Sequence, residues 1–141
     1  MLVAQNGRMS DETWAAIQLA VRILLALVFV GMGVNHFVPR AATAMAAIIP
    51  PSFRRPGVPS PLVLVWFTGL CEIAGGIGLL IEPVRLAAGV ALAVFLVAVF
   101  PANAFAARHP ERFGRIAIPL VPRLVAQVVL IALVLFAGWP L

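Results

Sequence analysis

Charged residues are scarce in this chain. Only 11% of its 141 residues are charged, whereas 63% are hydrophobic, and the mean hydropathy is +1.10. A soluble domain of this size needs a polar shell around its core, and so few polar residues cannot supply one. The composition therefore excludes an ordinary soluble domain and predicts a membrane protein.

Cysteine is almost absent and lysine is absent altogether. The single Cys71 can form neither an internal disulfide nor a CxxC pair, so dithiol chemistry would need a partner protein. The net charge of +5 is carried by arginine alone, in short segments between apolar stretches. That placement indicates membrane-flanking charge, and we expect no nucleic-acid partner.

The usual ligands of tightly bound cofactors are also missing. The two histidines, His36 and His109, are not at metal-ligand or haem-ligand spacing, and there is no cysteine cluster and no nucleotide-binding loop. We therefore expect no metal and no electron-transfer cofactor held by this chain alone. A quinone or a lipid remains open as a ligand.

Four apolar segments are long enough to cross a membrane. They lie at about residues 13–37, 61–81, 86–105 and 118–138, separated by Pro, Gly and Arg. The first is too long for a signal sequence and follows Asp11 and Glu12, so we expect it to remain as a span. Because the last two connections are short, the prediction is one domain over residues 1–141, an all-α membrane protein built as an antiparallel four-transmembrane-helix bundle.

The connection between the first two spans is the longest. Its apolar piece, residues 41–49, is too short to cross a membrane, and a proline-rich stretch follows it. This pattern favours an interfacial or partly re-entrant helix followed by an extended turn. An ordinary surface loop is the alternative.

The arginines are distributed unequally between the two ends of the spans. Arg8 and Arg85 flank one end, and seven flank the other: Arg40, Arg54, Arg55, Arg108, Arg112, Arg115 and Arg123. The positive-inside rule therefore predicts a multi-pass protein of the cell membrane with both termini outside, which is the periplasm if the cell is bacterial.

Four charged or amide residues inside the spans stand out, namely Arg22, Glu72, Asn103 and Gln127. Such residues are costly in hydrocarbon unless they are paired or face a cavity. Arg22 belongs to a helical stripe predicted to face the bundle, which consists of Gln18, Arg22, Ala26, Phe29, Gly33 and His36. Glu72 is flanked at helical spacing by Thr68, Gly69, Gly75 and Gly76, which favours a helix interface.

Arg22 lies about nine residues after the start of the first predicted helix, and Glu72 lies about nine residues before the end of the second. In an antiparallel pair both are therefore about 14 Å below the same membrane face. This predicts an ion pair inside the membrane. Two interpretations stay open: the pair sets helix register, or Glu72 serves a partly hydrated pocket as a proton-accepting or hydrogen-bonding group for a small ligand.

The remaining polar residues suggest weaker hypotheses. Asn35, His36 and Asn103 are predicted to lie at similar depth near the arginine-rich end. Gln127 is typical of a residue that hydrogen-bonds across helices. Cys71 is interpreted as a packing residue, because a buried thiol in apolar surroundings is unreactive.

Motifs in all four spans resemble the DoxX-like family of small membrane proteins. The resemblance rests on His36-Phe37, Ile49-Pro50-Pro51, Gly69-x-x-Glu72-x-x-x-Gly76-x-Gly78-Leu79-Leu80, Arg85-x-Ala87-Ala88, Phe100-Pro101-Ala102-Asn103 and Arg123-Leu124-x-x-Gln127. Val125 stands where that family has a proline.

The resemblance implies a membrane subunit that is sometimes linked to redox chemistry, including quinone-coupled sulfur oxidation and thiol or oxidative-stress complexes. The leading hypothesis is an accessory or ligand-binding bundle that holds a quinone or lipid in a central pocket lined by Arg22, Glu72, Asn103 and Gln127, near His36. The alternatives are a redox oxidoreductase subunit with a soluble partner on the arginine-rich face, and a non-catalytic scaffold.

Overall fold

The computed structural model describes residues 10–140, and within them the chain is helical without any β-strand. The α-helices are α1 (Asp11–Asn35), α2 (Pro39–Ala47), α3 (Pro61–Gly78), α4 (Arg85–Ala107), α5 (Pro110–Phe113) and α6 (Leu120–Gly138). Short 3₁₀ turns lie at Pro51–Phe53, Glu82–Val84 and Gly114–Ile116. The predicted all-α class is confirmed.

Helices α1, α3, α4 and α6 are long and apolar enough to cross a membrane. Helix α1 packs against α3, α3 against α4, α4 against α6, and α6 against α1, so the four form a closed ring. The core at its centre contains Leu79, Leu92 and Val134, each at most 1% exposed. The molecule is the predicted antiparallel four-helix membrane bundle.

Serine caps begin two of the spanning helices. The Ser10 hydroxyl accepts a hydrogen bond from the Thr13 backbone N–H at 3.3 Å, and the Ser60 hydroxyl accepts one from Val63 at 3.4 Å. Both caps satisfy backbone donors that have no partner within the helix. In α3 the next residue is Pro61, whose missing N–H costs nothing at the first helical position.

The long connection contains the predicted short helix. Helix α2 packs against α3, and its Ala42 is 1% exposed. The surface-loop alternative is therefore wrong for residues 39–47. The 3₁₀ turn at Pro51–Phe53 follows, and the chain then returns to α3.

Glycines set the register of the helix pairs. A Cβ atom on Gly33 of α1 would lie 2.6 Å from the Gly69 carbonyl oxygen of α3, and one on Gly89 of α4 would lie 3.1 Å from the Gly138 Cα of α6. Such close approach of backbones is typical of membrane helices with small residues at their interfaces. The two hairpins, α1–α3 and α4–α6, are thereby fixed in their axial positions.

Candidate functional site

The predicted interior stripe of α1 is confirmed. All six of its residues are buried: Gln18, Arg22, Ala26, Phe29, Gly33 and His36. The three polar members are satisfied in different ways, at two ends of the bundle. We call the end where α1 begins and α6 ends the arginine-poor end, and the opposite one, with Arg40 and Arg115, the arginine-rich end.

Arg22 and Gln18 bind the last turn of α6. The Arg22 Nε donates to the Ala137 carbonyl at 2.8 Å, and its terminal nitrogen donates to the Gln18 side-chain oxygen. The Gln18 Nε2 in turn donates to the carbonyls of Phe136 at 2.8 Å and Trp139 at 2.7 Å. The arginine thus lies at the negative end of the α6 dipole and satisfies a carbonyl that the helix leaves unpaired.

The predicted ion pair between Arg22 and Glu72 is wrong. Within residues 10–140 the ionisable neighbour of the Glu72 carboxylate is His36, and Arg22 makes no ion pair with it. The prediction assumed that the two residues lie at the same depth.

The register of α1 and α3 separates these residues. Gly76 lies against Ala26 and Phe29, so Arg22, one turn before Ala26, is level with the chain just past the end of α3 at Gly78. Glu72 lies about eight residues lower along α3, which at the α-helical rise is about 12 Å. This axial offset exceeds two helical turns.

Side-chain direction increases the separation. Side chains on a helix lean towards its N-terminus, so in this antiparallel pair Arg22 leans towards the arginine-poor end and Glu72 leans the opposite way. The same rule brings His36 and Glu72 together, because His36 lies nearer the arginine-rich end and leans towards Glu72.

The His36–Glu72 pair lies between α1 and α3. The His36 Nδ1 is 3.4 Å from the Glu72 Oε2, and the two side chains are 10% and 12% exposed. The Nδ1 lies closer, at 2.8 Å, to the Met32 carbonyl one turn earlier in α1. Since Nδ1 carries one hydrogen, a bond to Met32 leaves the carboxylate oxygen without a donor. Glu72 Oε2 is indeed buried without a hydrogen-bond partner among the described residues.

The other two polar residues join α4 to α6. An Arg123 terminal nitrogen donates to the Asn103 side-chain oxygen, and the Gln127 Nε2 donates to the Leu96 carbonyl. Gln127 therefore acts as the predicted cross-helix hydrogen-bonding residue. Arg123, which the sequence indicated only as a flanking charge, proves to be the partner of Asn103.

The predicted site residues thus occupy three separate interfaces: α1–α6 for Arg22, α1–α3 for His36 and Glu72, and α4–α6 for Asn103 and Gln127. They do not line one central pocket. Two surface cavities, of about 230 and 390 Å³, are lined by other residues. The candidate site is therefore the His36–Glu72 pair, where polar capacity is left unused.

Sequence reasoning missed the pairing of His36 with Glu72, although it singled out both residues. A signal was present. The predicted alignment matched the ends of the two helices. An alignment that takes Gly33 and Gly69 as the point of closest approach would have brought the side chains of His36 and Glu72 together.

Fold and polar interfaces define the molecule as a small antiparallel four-helix membrane bundle. The chain belongs to the family described as Domain of unknown function (DUF8561), which matches residues 25–137. This range contains His36, Glu72, Asn103, Arg123 and Gln127 and begins after Gln18 and Arg22. No curated protein and no solved structure matches the chain.

Proposed function

We propose that this protein is an accessory or ligand-binding membrane bundle that holds a small amphipathic molecule, of the quinone class, at Glu72 and His36. The observation that carries this proposal is the buried Glu72 Oε2 without a hydrogen-bond partner among the described residues. Buried polar atoms are nearly always paired, and an unpaired carboxylate oxygen in an apolar setting is costly. A donor from outside the chain would satisfy it.

The chemistry of a quinone fits this pair. A quinol hydroxyl can donate to the Glu72 carboxylate, and a carboxylate beside an imidazole can accept the proton that leaves when a quinol is oxidised. Both side chains keep about a tenth of their surface exposed, so the pair lies close to the outer surface of the bundle. Because the Glu72 Oε2 atom itself is buried, a ligand would reach it through a small shift of the surrounding side chains. Apolar residues on the outer surface, such as Met32 and Leu70, suit the hydrocarbon tail.

The resemblance to DoxX-like proteins supports the same class of ligand, because that family includes members linked to quinone-coupled chemistry. We propose a distant relationship between the two families on the motifs that surround Glu72 and His36. In a redox complex this chain would hold the quinone, and a soluble partner on the arginine-rich face would carry the other redox centre.

Replacing Glu72 with leucine should weaken quinone binding about tenfold or more. Leucine keeps an apolar side chain of similar size and removes the acceptor, and a hydrogen bond to a charged group contributes about 1.5–3 kcal/mol. The measurement is a titration of the detergent-solubilised protein with a short-chain ubiquinol analogue, in which the rise in melting temperature reports binding. Glu82→Leu, at an exposed position in the 3₁₀ turn before α4, is the matched control and should bind as the unaltered protein does.

Equal affinity of Glu72→Leu and the unaltered protein would contradict a ligand role for this carboxylate. If Glu72→Leu also raised the melting temperature without affecting any ligand, the scaffold alternative would be the better account, because removing an unsatisfied buried carboxylate then simply stabilises the fold.

We further propose that both ends of the chain face outside, with α2 and α5 in the cytoplasm. Six of the seven arginines named for this orientation lie outside the spanning helices, and Arg123 lies in the first turn of α6. Arg8, on the other side, is outside the described residues. Exposed tryptophans support the membrane boundaries: Trp14 and Trp139 lie at the arginine-poor end and Trp66 at the other.

Thiol labelling should report this orientation. In a Cys71→Ser background, a membrane-impermeant maleimide should label new cysteines at Pro140 or near the N-terminus in intact cells. A cysteine at Ser52, between α2 and α3, should react only after lysis. The reverse pattern would show that the protein is inserted the other way round.

A further inference from the structure

An apolar groove lies at the arginine-rich end, and neither His36 nor Glu72 is among its lining residues. Its volume is about 230 Å³, and it lies between the end of α1, helix α2 and the turn before α6. Its lining is apolar except for one amide and consists of Asn35, Ala41, Ala44, Met45, Ile48 and Ile116. The groove therefore offers hydrocarbon contact at the arginine-rich end of the bundle.

Two arginines flank this groove. Arg40 directly precedes Ala41 in α2, and Arg115 directly precedes Ile116 in the turn. Consecutive Cα atoms are about 3.8 Å apart, so the Cα atom of each arginine lies that distance from the Cα atom of a residue that lines the groove. Both are exposed.

The flanking arginines differ from Arg54 and Arg55 on the same face. Arg54 donates to the Ala46 and Ile49 carbonyls, and Arg55 donates to the Ser52 carbonyl. Arg40 and Arg115 make no hydrogen bond or ion pair within residues 10–140. Their charges are thus available to a partner.

We propose that this groove binds an anionic phospholipid, with one acyl chain against α2 and the headgroup phosphate between Arg40 and Arg115. Arginine recognises phosphate oxygens through paired N–H donors, and basic pockets at the cytoplasmic ends of membrane helices select anionic headgroups. Burial of acyl carbons against the apolar wall adds to the binding free energy of a lipid. A free phosphate ion has no acyl chain and gains nothing from this wall.

The test compares two double variants that remove the same charge from the same face. Native mass spectrometry of the detergent-purified protein would measure binding of phosphatidylglycerol against phosphatidylcholine. We expect selectivity for phosphatidylglycerol to fall about tenfold in Arg40→Gln with Arg115→Gln. It should be nearly unchanged in Arg108→Gln with Arg112→Gln, whose positions do not adjoin the groove.

A third variant tests the apolar wall. Ala44→Phe keeps every arginine and fills the groove, so it should also lose retained phosphatidylglycerol, provided its melting temperature shows that it is folded. If it is not folded, the paired arginine variants decide alone. Equal losses in both arginine variants, or inorganic phosphate that displaces the lipid at equal concentration, would overturn the proposal in favour of general surface charge or a phosphate site.

Discussion

Gly33→Ala is expected to lower the free energy of unfolding by about 2 kcal/mol, and Gly31→Ala to raise it by up to about 1 kcal/mol. The two positions lie on the same helix and receive the same methyl group. A Cβ atom on Gly33 would lie 2.6 Å from the Gly69 carbonyl oxygen, which is backbone and cannot turn away, whereas one on Gly31 meets nothing within 4 Å. Alanine at Gly31 gains only its better helix propensity.

The measurement is reversible unfolding in mixed micelles by added denaturing detergent. Gly69→Ala gives a second test from the facing helix, since a Cβ there would lie 2.6 Å from the His36 Cβ. It should be destabilising and should also disturb His36. Similar small effects at Gly31 and Gly33 would mean that α1 and α3 do not approach at these glycines, and the register that places Glu72 beside His36 would be wrong.

Arg22→Leu should lower the free energy of unfolding by about 2 kcal/mol. The substitution removes the donors to the Ala137 carbonyl and the Gln18 side chain and leaves both acceptors buried without a partner, at about 1 kcal/mol each. It also removes the positive charge from the C-terminal end of α6. The expected damage is therefore a loosening of α1 from α6.

A double-mutant cycle distinguishes the network of Arg22, Gln18 and Ala137 from the Arg22–Glu72 ion pair expected from the sequence. Because Arg22 and Glu72 are about 12 Å apart along the axis, the effects of Arg22→Leu and Glu72→Leu should add within about 0.5 kcal/mol. Arg22→Leu and Gln18→Leu, which alter one hydrogen-bonded network, should not add. A coupling above about 1 kcal/mol between positions 22 and 72 would restore the ion pair.

The parts of the fold that follow from helical periodicity could be predicted from the sequence. Apolar length identifies the spans, and steps of three and four place Arg22 and His36 on one buried face. These are local properties, and tertiary packing does not change them. The serine cap at Ser10 is of the same kind.

The partners of the polar residues could not be predicted in the same way. Pairing depends on the axial offset between helices, and this offset was inferred from the predicted helix ends. The predicted second span continued to Ile81, whereas α3 ends at Gly78. The first seven residues of α1 are exposed and extend past its neighbours. An error of a few residues in each predicted helix end shifts the predicted axial position of one helix against the other by about two turns. That shift is enough to exchange Arg22 for His36 as the neighbour of Glu72.

The polar residues of the spans divide into satisfied and unsatisfied groups. Arg22, Gln18, Asn103 and Gln127 all have partners within the bundle and explain how its helices are joined. Two buried side-chain atoms in the described part of the chain have none, Glu72 Oε2 and Arg85 Nε. Arg85 is the first residue of α4 and lies near the membrane boundary, whereas Glu72 lies within a span. Glu72 is therefore the residue at which a ligand would contribute most.

Native mass spectrometry of the protein released directly from its membranes tests the ligand proposal most directly. The Arg40→Gln, Arg115→Gln background is used so that phospholipid in the groove does not contribute. We expect a bound species with the mass of a quinone, which disappears in Glu72→Leu and persists in Glu82→Leu. A bundle that carries no such species, or one that retains it unchanged in Glu72→Leu, would contradict a quinone site at Glu72.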